Sequence, residues 1–338
     1  MISRHPNGLR ASKASPPIIF VSWVNSFDLR VKCQSSNLTY RSIFRWRGAN
    51  VAAPAAKTGR AIVAKSDTGS AYWTTSVSDV VDDDVYIRGY SLGALIGRLP
   101  FSAVSFLLIR GRMPTPGESR MIDALLCSVL DYSLYKPGTI AARYCVSANP
   151  QMVPGLATAV LAVGEYTLSP EDAGRFVHDG YAVFQASGAK LEDFMNAWIA
   201  DLRKAKARIP GFGHPNFRFV DPRAQKLKEI AVETGVWGEK CEWYEACHRA
   251  FCTAVGKPDI VINEVGMMAA ILAQMGFAPP EMAGIAIMSS LPGVIAHISE
   301  ELQSKKRIRI VPDEIASYSR ARHDLGQALA RAGWASKS

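Results

Sequence analysis

Residues 209–227 read IPGFGHPNFRFVDPRAQKL. Gly211 and Gly213 free the backbone to approach a ligand closely and to present N–H groups. Around them stand Lys204, Lys206, Arg208 and Arg218, and Arg223 in the DPR turn offers a two-pronged donor suited to a carboxylate or phosphate. His214 at the tip can donate a hydrogen bond or move a proton near neutral pH. Two readings fit these residues: a site for an anionic ligand, or a Gly/Pro-rich turn between helices with a solvated basic rim.

Outward from this loop the apolar residues recur with a helical period. Leu92, Leu95 and Ile96 form one stripe, Val104, Leu107 and Leu108 a second, and Met121, Ile122, Leu125, Leu126 and Val129 a third. The break GRMPTPGESR at 111–120 carries the Gly and Pro punctuation of a link between helices. Further helical patterns cover 153–164, 170–186, 191–207, 224–234, 241–255, 265–275 and 280–301, and strand-like runs are confined to 18–21, 85–87 and 308–311. Strands do not alternate with helices, so the expected fold class is all-α.

The formal charge of +9 is unevenly spread. Residues 1–65 carry 11 of the 39 Lys and Arg and one acid, Asp28, so the other 273 residues hold 28 bases against 29 acids. A near-neutral body argues against nucleic acid as a partner. The basic extension fits a transit-like peptide, an anion-binding arm, or a segment outside the working fold, and its apolar run at 17–24 is too short to span a bilayer. The six cysteines, Cys33, Cys127, Cys145, Cys241, Cys247 and Cys252, contain no CxxC and match no zinc spacing. A reducing, cytoplasmic setting with no metal and no membrane is expected, and Cys127 is expected in the core. GxxxxGK[ST] and GxGxxG are absent, which removes the usual nucleotide-loop readings.

The pattern PGFGHPxxRxxDPRxxxL resembles the signature of the citrate synthase superfamily, which includes citryl-CoA lyases. The likeness extends through residues 87–115, LLCSVLDYSLYKPGTIAARYC at 125–145, PDIVINEVG at 258–266 and IAIMSSLPGVIAHISEEL at 285–302, in the family's order. It implies a helical homodimer with a large domain (66–167 and 276–338), a smaller CoA-binding domain (168–275) and the extension 1–65 outside the fold. The implied chemistry joins or splits a C–C bond between an acyl-CoA and a 2-oxo acid. A coenzyme A thioester serves as substrate, and an oxo or hydroxy acid is the other small molecule.

By the same resemblance His214 contacts the oxo-acid carbonyl and Arg223 its carboxylate, with Asn263 and Thr167 as further substrate-binding candidates. Gly211, Phe212, Gly213, Arg218 and Arg208 fall where CoA is held. Departures from the pattern are equally specific. Tyr132 replaces the histidine after Asp131, Thr167 stands near the position of the enolate-stabilising histidine, Val265 takes that of the catalytic aspartate and Ser290 that of a substrate arginine. A valine takes no proton, so the catalytic set expected here is His214, Glu264 and Tyr132, provided Glu264 reaches the site from one place earlier on its helix. The alternatives are Glu264 as a surface or capping residue and the chain as a CoA-ester-binding relative that is non-catalytic or regulatory.

Overall fold

The structure, a computed structural model, describes residues 19–22, 30–33, 73–81, 83–164 and 166–334. Two units divide the chain at Thr58 and Gly59. In the first, β1 (Ile19–Ser22) pairs antiparallel with β2 (Arg30–Cys33). The rest of the expected extension lies outside the described residues, except where named above.

The second unit opens with a small antiparallel meander, β3 (Ser78–Val81), β4 (Asp84–Ile87) and β5 (Tyr90–Ser91). Only its middle strand is foreshadowed by an apolar run. Helices follow: α1 (Leu92–Leu95), α2 (Phe101–Arg110), α3 (Pro116–Ser128), α4 (Pro137–Ala148), α5 (Met152–Leu161), α6 (Glu171–Ser187) and α7 (Leu191–Lys204). Beyond the loop come α8 (Pro222–Glu233), α9 (Glu239–Val255), α10 (Glu264–Gln274), α11 (Pro279–Ser304) and α12 (Leu325–Arg331). The fold is mostly helical.

Local chemistry sets these boundaries. Thr115 and Glu118 form a reciprocal capping box around Pro116 at the start of α3, with Thr115 Oγ1 accepting from the Glu118 N–H at 3.1 Å. Asp221 caps α8 ahead of Pro222, and Asn263 caps α10 by accepting from the Gly266 N–H at 2.9 Å.

The core gathers on α10, which is buried from Gly266 through Ala273 and packs against α6, α8, α9 and α11. A helix apolar on all sides needs neighbours on all sides. Trp243, Tyr244, Phe106 and Phe277 fill the space around it. Burial of that many large side chains, each about 1.5–3 kcal/mol, fixes α10 and therefore the position of its first residue, Glu264.

The second anchor is α11, a 26-residue helix long and apolar enough to cross a membrane by length and composition. Here it is a packing helix, joined to α3, α4, α5 and α6. Gly293 lets it meet the loop after α3, where a Cβ would clash with the Leu130 carbonyl and lie 2.9 Å from Asp131 Cβ. One turn on, His297 Nε2 meets Asp131 Oδ2 at 3.2 Å.

Two expectations are corrected. Cys127 is exposed, because the buried stripe of α3 runs through Met121, Ile122 and Leu125 and Cys127 faces away from it. The run 308–311 forms no strand; its backbone is tied to α4 instead, with the Ile308 N–H donating to the Ser147 carbonyl at 2.9 Å. Arg309 then binds the buried carboxylate of Glu301 through Nε (2.6 Å) and Nη2 (2.8 Å), and Arg143 Nε reaches the same carboxylate at 2.8 Å.

Candidate active site

The histidine loop and the start of α10 are bonded into one piece. Phe212 bridges Ile262, the Gly213 N–H donates to the Val261 carbonyl at 2.7 Å and the Asn263 N–H to the Gly211 carbonyl at 2.9 Å. Asn263 adds a side-chain bond from Nδ2 to the Gly213 carbonyl at 2.9 Å. Gly211, at φ +83°, lies so close to α10 that a Cβ would sit 2.5 Å from Gly266 Cα. The close approach expected of this glycine is therefore made to another glycine, and the Gly213 N–H expected to face a ligand is spent on Val261. Asn263, expected as a substrate binder, has both amide atoms committed to the loop and the helix start. The ring of Phe212 is likewise turned inward, between Tyr244, His248 and Phe251.

This arrangement delivers His214 and Glu264 to one cluster centred on Arg223. Arg223 Nη2 donates to Asp221 Oδ2 and to Glu264 Oε2, each at 2.8 Å, and Nε donates to Asp221 Oδ1 at 3.1 Å. The same Nη2 lies 3.2 Å from His214 Nε2. A guanidinium nitrogen of this kind has two hydrogens, and the two carboxylates take both. His214 Nδ1 accepts from the Asn216 N–H (3.1 Å) and the Phe217 N–H (3.2 Å), so in neutral His214 the proton is on Nε2. That N–H faces a nitrogen that cannot accept. Arg223 Nη1 has no protein partner among the described residues. Three donors thus converge with nothing to bind: one from His214 and two from Arg223.

The charges follow from the same geometry. Burial pushes the Glu264 carboxyl up to about 7, Arg223 pulls against this and the neighbouring Asp221 reinforces it. Its side chain is 14% exposed, so it is neither a surface residue nor merely a cap. Asp221 is itself buried, which raises its pKa, but the bonds from Arg223 outweigh burial and hold it ionised, below the usual carboxylate range. Burial and the Arg223 charge lower the pKa of His214 and keep it neutral.

His214, Asp221 and Glu264 also bring potential metal-ligand atoms within 4.8 Å of one another. The Arg223 nitrogen already contacts all three. A metal ion would have to displace that guanidinium, so the residues present suit an arginine-centred anion site better than a metal centre.

Tyr132 closes one side. Its ring stands perpendicular to His214 (87°, centroids 6.3 Å apart), Arg223 Cζ lies 5.5 Å from its centroid, and its hydroxyl accepts from Asn216 Nδ2 at 2.8 Å. Phe217 stacks near His214 with centroids 4.5 Å apart. Thr167 is elsewhere: with Thr139, Ser290 and Lys136 it lines a separate cavity of about 20 Å³. Arg218 is exposed at the rim, donating to the His214 carbonyl at 2.6 Å, and Arg208 is exposed beside Tyr166. Sequence reasoning missed Asp221, Asn216 and Phe217. Asp221 was visible as a helix cap before Pro222, whereas its contact with Arg223 depends on how the turn folds back.

Residues 114–311 match the family described as citrate synthase, C-terminal domain, and the chain belongs to the citrate synthase family. A citryl-CoA lyase from Hydrogenobacter thermophilus is 33% identical with a TM-score of 0.70, over 77% of this chain and 100% of that one. Citrate synthase 2 of Bacillus subtilis (strain 168) is 27% identical over 202 residues, 60% of this chain and 52% of the relative, so the chain spans about half the length of that curated protein. An ATP citrate lyase from Methanothrix soehngenii, solved with citrate and coenzyme A, shares the fold at TM-score 0.63 and 19% identity, over 75% of this chain and 42% of that one.

Proposed function

We propose that this protein makes or breaks a C–C bond between an acyl-CoA and a 2-oxo acid, with Glu264 as the proton-transferring carboxyl. The observation that carries this reading is the convergence of Glu264, His214 and Arg223: a carboxyl titrating near neutrality beside three unused donors. Proton abstraction next to a thioester needs a base matched to the working pH, and the carbonyl under attack needs a donor aimed at its oxygen. Glu264 supplies the first, His214 Nε2–H the second, and Arg223 Nη1 a partner for the acid's carboxylate. Tyr132 lines the same space with a hydroxyl able to donate.

The related lyase and synthase support coenzyme A esters as the substrate class. Gly211, Phe212 and Gly213 shape the loop against which the CoA chain lies, and Arg218 and Arg208 at the exposed rim suit its phosphates. The segment 168–275 is the part that closes on CoA. Exposed Phe101, Val153, Leu161 and Tyr135 favour a homodimer, testable by light scattering.

The test combines calorimetric titration of the purified chain with acetyl-CoA and propionyl-CoA and mass detection of a new thioester when 2-oxo acids are added. Formation of the adduct, lost in Glu264→Gln and His214→Ala, is the expected result. Binding without chemistry would instead support a non-catalytic CoA-ester-binding role, and absence of CoA binding would remove both readings.

A further inference from the structure

Tyr132 reaches the site from a loop whose backbone is unusual. The loop follows α3 and ends in a short 3₁₀ turn at Ser133–Tyr135, and Ser133 sits at a φ of +53°, a left-handed conformation that residues other than glycine rarely adopt. Such backbone persists only where its surroundings over-determine it. Asp131 supplies one restraint: its Oδ2 accepts from the Ser133 N–H at 2.9 Å, closing a turn of the kind aspartate favours. Lys136 supplies a second, its amine donating to the Val129 carbonyl at 3.0 Å, so the loop is tied across its two ends.

The loop is held to the body of the protein by α11. Gly293 leaves room for the chain at Leu130 and Asp131, and His297 Nε2 lies 3.2 Å from the same Asp131 Oδ2 that accepts from Ser133. A carboxylate oxygen only accepts, so Nε2 carries a hydrogen whether His297 is neutral or charged, and the bond does not depend on the charge of the ring. On the other side of the ring Nδ1 is 3.8 Å from Glu300 Oε2, beyond hydrogen-bond reach, and Glu300 is itself engaged by Arg143 Nη1 from α4. Asp131 is thus the one hydrogen-bond partner of His297 among the described residues.

We infer that His297 is a positioning residue for the site, acting through Asp131 to fix the turn that presents Tyr132 to His214 and Arg223. The chain of contacts is continuous. His297 meets Asp131 at 3.2 Å and Asp131 meets the Ser133 N–H at 2.9 Å. Between those two anchored residues stands Tyr132, its ring perpendicular to His214 with centroids 6.3 Å apart and its centroid 5.5 Å from Arg223 Cζ. The Tyr132 hydroxyl accepts from Asn216 Nδ2 at 2.8 Å, and its own hydrogen has no protein acceptor among the described residues, which leaves it for a ligand. Without the His297 bond the left-handed turn at Ser133 loses a restraint, and the ring and hydroxyl of Tyr132 leave the wall of the site. The effect on turnover rests on the proposed acyl-CoA reaction; the effect on the place of Tyr132 does not.

The experiment compares, in the full chain, His297→Leu (or His297→Phe should the first fail to fold), which removes the donor, with His297→Gln, whose amide restores one. Imidazole resonances of the histidine-labelled protein, with the His214 signal assigned by its loss in His214→Ala, read the Tyr132 ring directly, because an aromatic ring shifts the signals of a ring beside it. His297→Leu is expected to move the His214 signal in the same sense as Tyr132→Leu, and His297→Gln to leave it near its original place. In the adduct assay with acetyl-CoA and 2-oxo acids, His297→Leu should lower kcat by about tenfold, as misplacement of a site group does. The same substitution made on top of Tyr132→Leu should add less than about twofold, since a residue acting through Tyr132 then has nothing to act on. A His214 signal that His297→Leu leaves unmoved overturns the inference. So does a loss of kcat that persists in full in the Tyr132→Leu background, which marks a general structural role. No adduct with any 2-oxo acid, but a His214 signal that moves as expected, removes the proposed reaction and keeps the positioning role.

Discussion

Glu264 Oε2 accepts a hydrogen bond from Arg223 Nη2 at 2.8 Å, yet the Glu264 carboxyl titrates near 7 because burial outweighs that contact. The pairing keeps the carboxyl in place without fixing its charge. A surface ion pair would not behave this way, since water would hold the carboxylate ionised.

Glu264→Gln should lower adduct formation by about 10²–10⁴-fold, the usual range for loss of a positioned proton acceptor. The rising limb of the kcat/KM profile around pH 7 should vanish with it. A variant that retains both the rate and the pH profile would remove Glu264 as the base.

Stability should carry the same titration with the opposite sense. The folded protein holds a proton on Glu264 that an unfolded carboxyl of ordinary pKa near 4.5 has released, so stability falls as pH rises from about 4.5 through about 7 and then levels off. Glu264→Gln should flatten that part of the curve. Thermal melts of both proteins between pH 5 and 8 measure the difference.

His214→Ala removes the acceptor that two backbone N–H groups use as well as the proposed substrate donor. A loss of about 10²–10³-fold in rate is expected, with a stability cost on the order of 1–3 kcal/mol. Steady-state kinetics alongside urea melts separate the two effects.

Gly211→Ala places a methyl against Gly266 and Tyr244 at a φ of +83°. The expected cost is on the order of 2–4 kcal/mol. Gly213→Ala, with open space around its Cβ but a similar φ, should cost less, and denaturant midpoints of the pair test the ordering.

Glu301→Ala takes from Arg309 its carboxylate and leaves Arg143 with Glu300 alone. The expected loss is about 1–3 kcal/mol. Limited proteolysis should also show residues 305–311 cut sooner, because Arg309 ties that segment to α11.

Much of the fold was legible because its signals are local. Pro279, Pro222 and Pro116 each stand at a helix start, and the apolar period traces α3 and α6 through α11 to within a few residues. The meander was harder: β3 reads SDVV, is exposed along its length, and offers no buried alternation to detect. In the site, His214 and Arg223 stood out because glycine, proline and arginine declare a turn. Asp221 and Asn216 did not, because Asp221 also meets the Glu264 N–H 43 positions on and Asn216 meets Tyr132 84 positions back, and Asn263 looked like a ligand group when it is a fastener. Thr167 was placed by order along the chain, which does not report that the segment around Gly164 turns toward a different cavity.

The bonds that join the histidine loop to α10 have a mechanical consequence. Gly211 against Gly266, Phe212 beside Ile262 and Asn263 across both make His214 and Glu264 passengers on one body. Their spacing is thereby held by the loop and helix start themselves, while the contact to Tyr132 is one side-chain bond from Asn216 Nδ2 at 2.8 Å. The spacing of His214 and Glu264 is thus set during folding, before any ligand arrives.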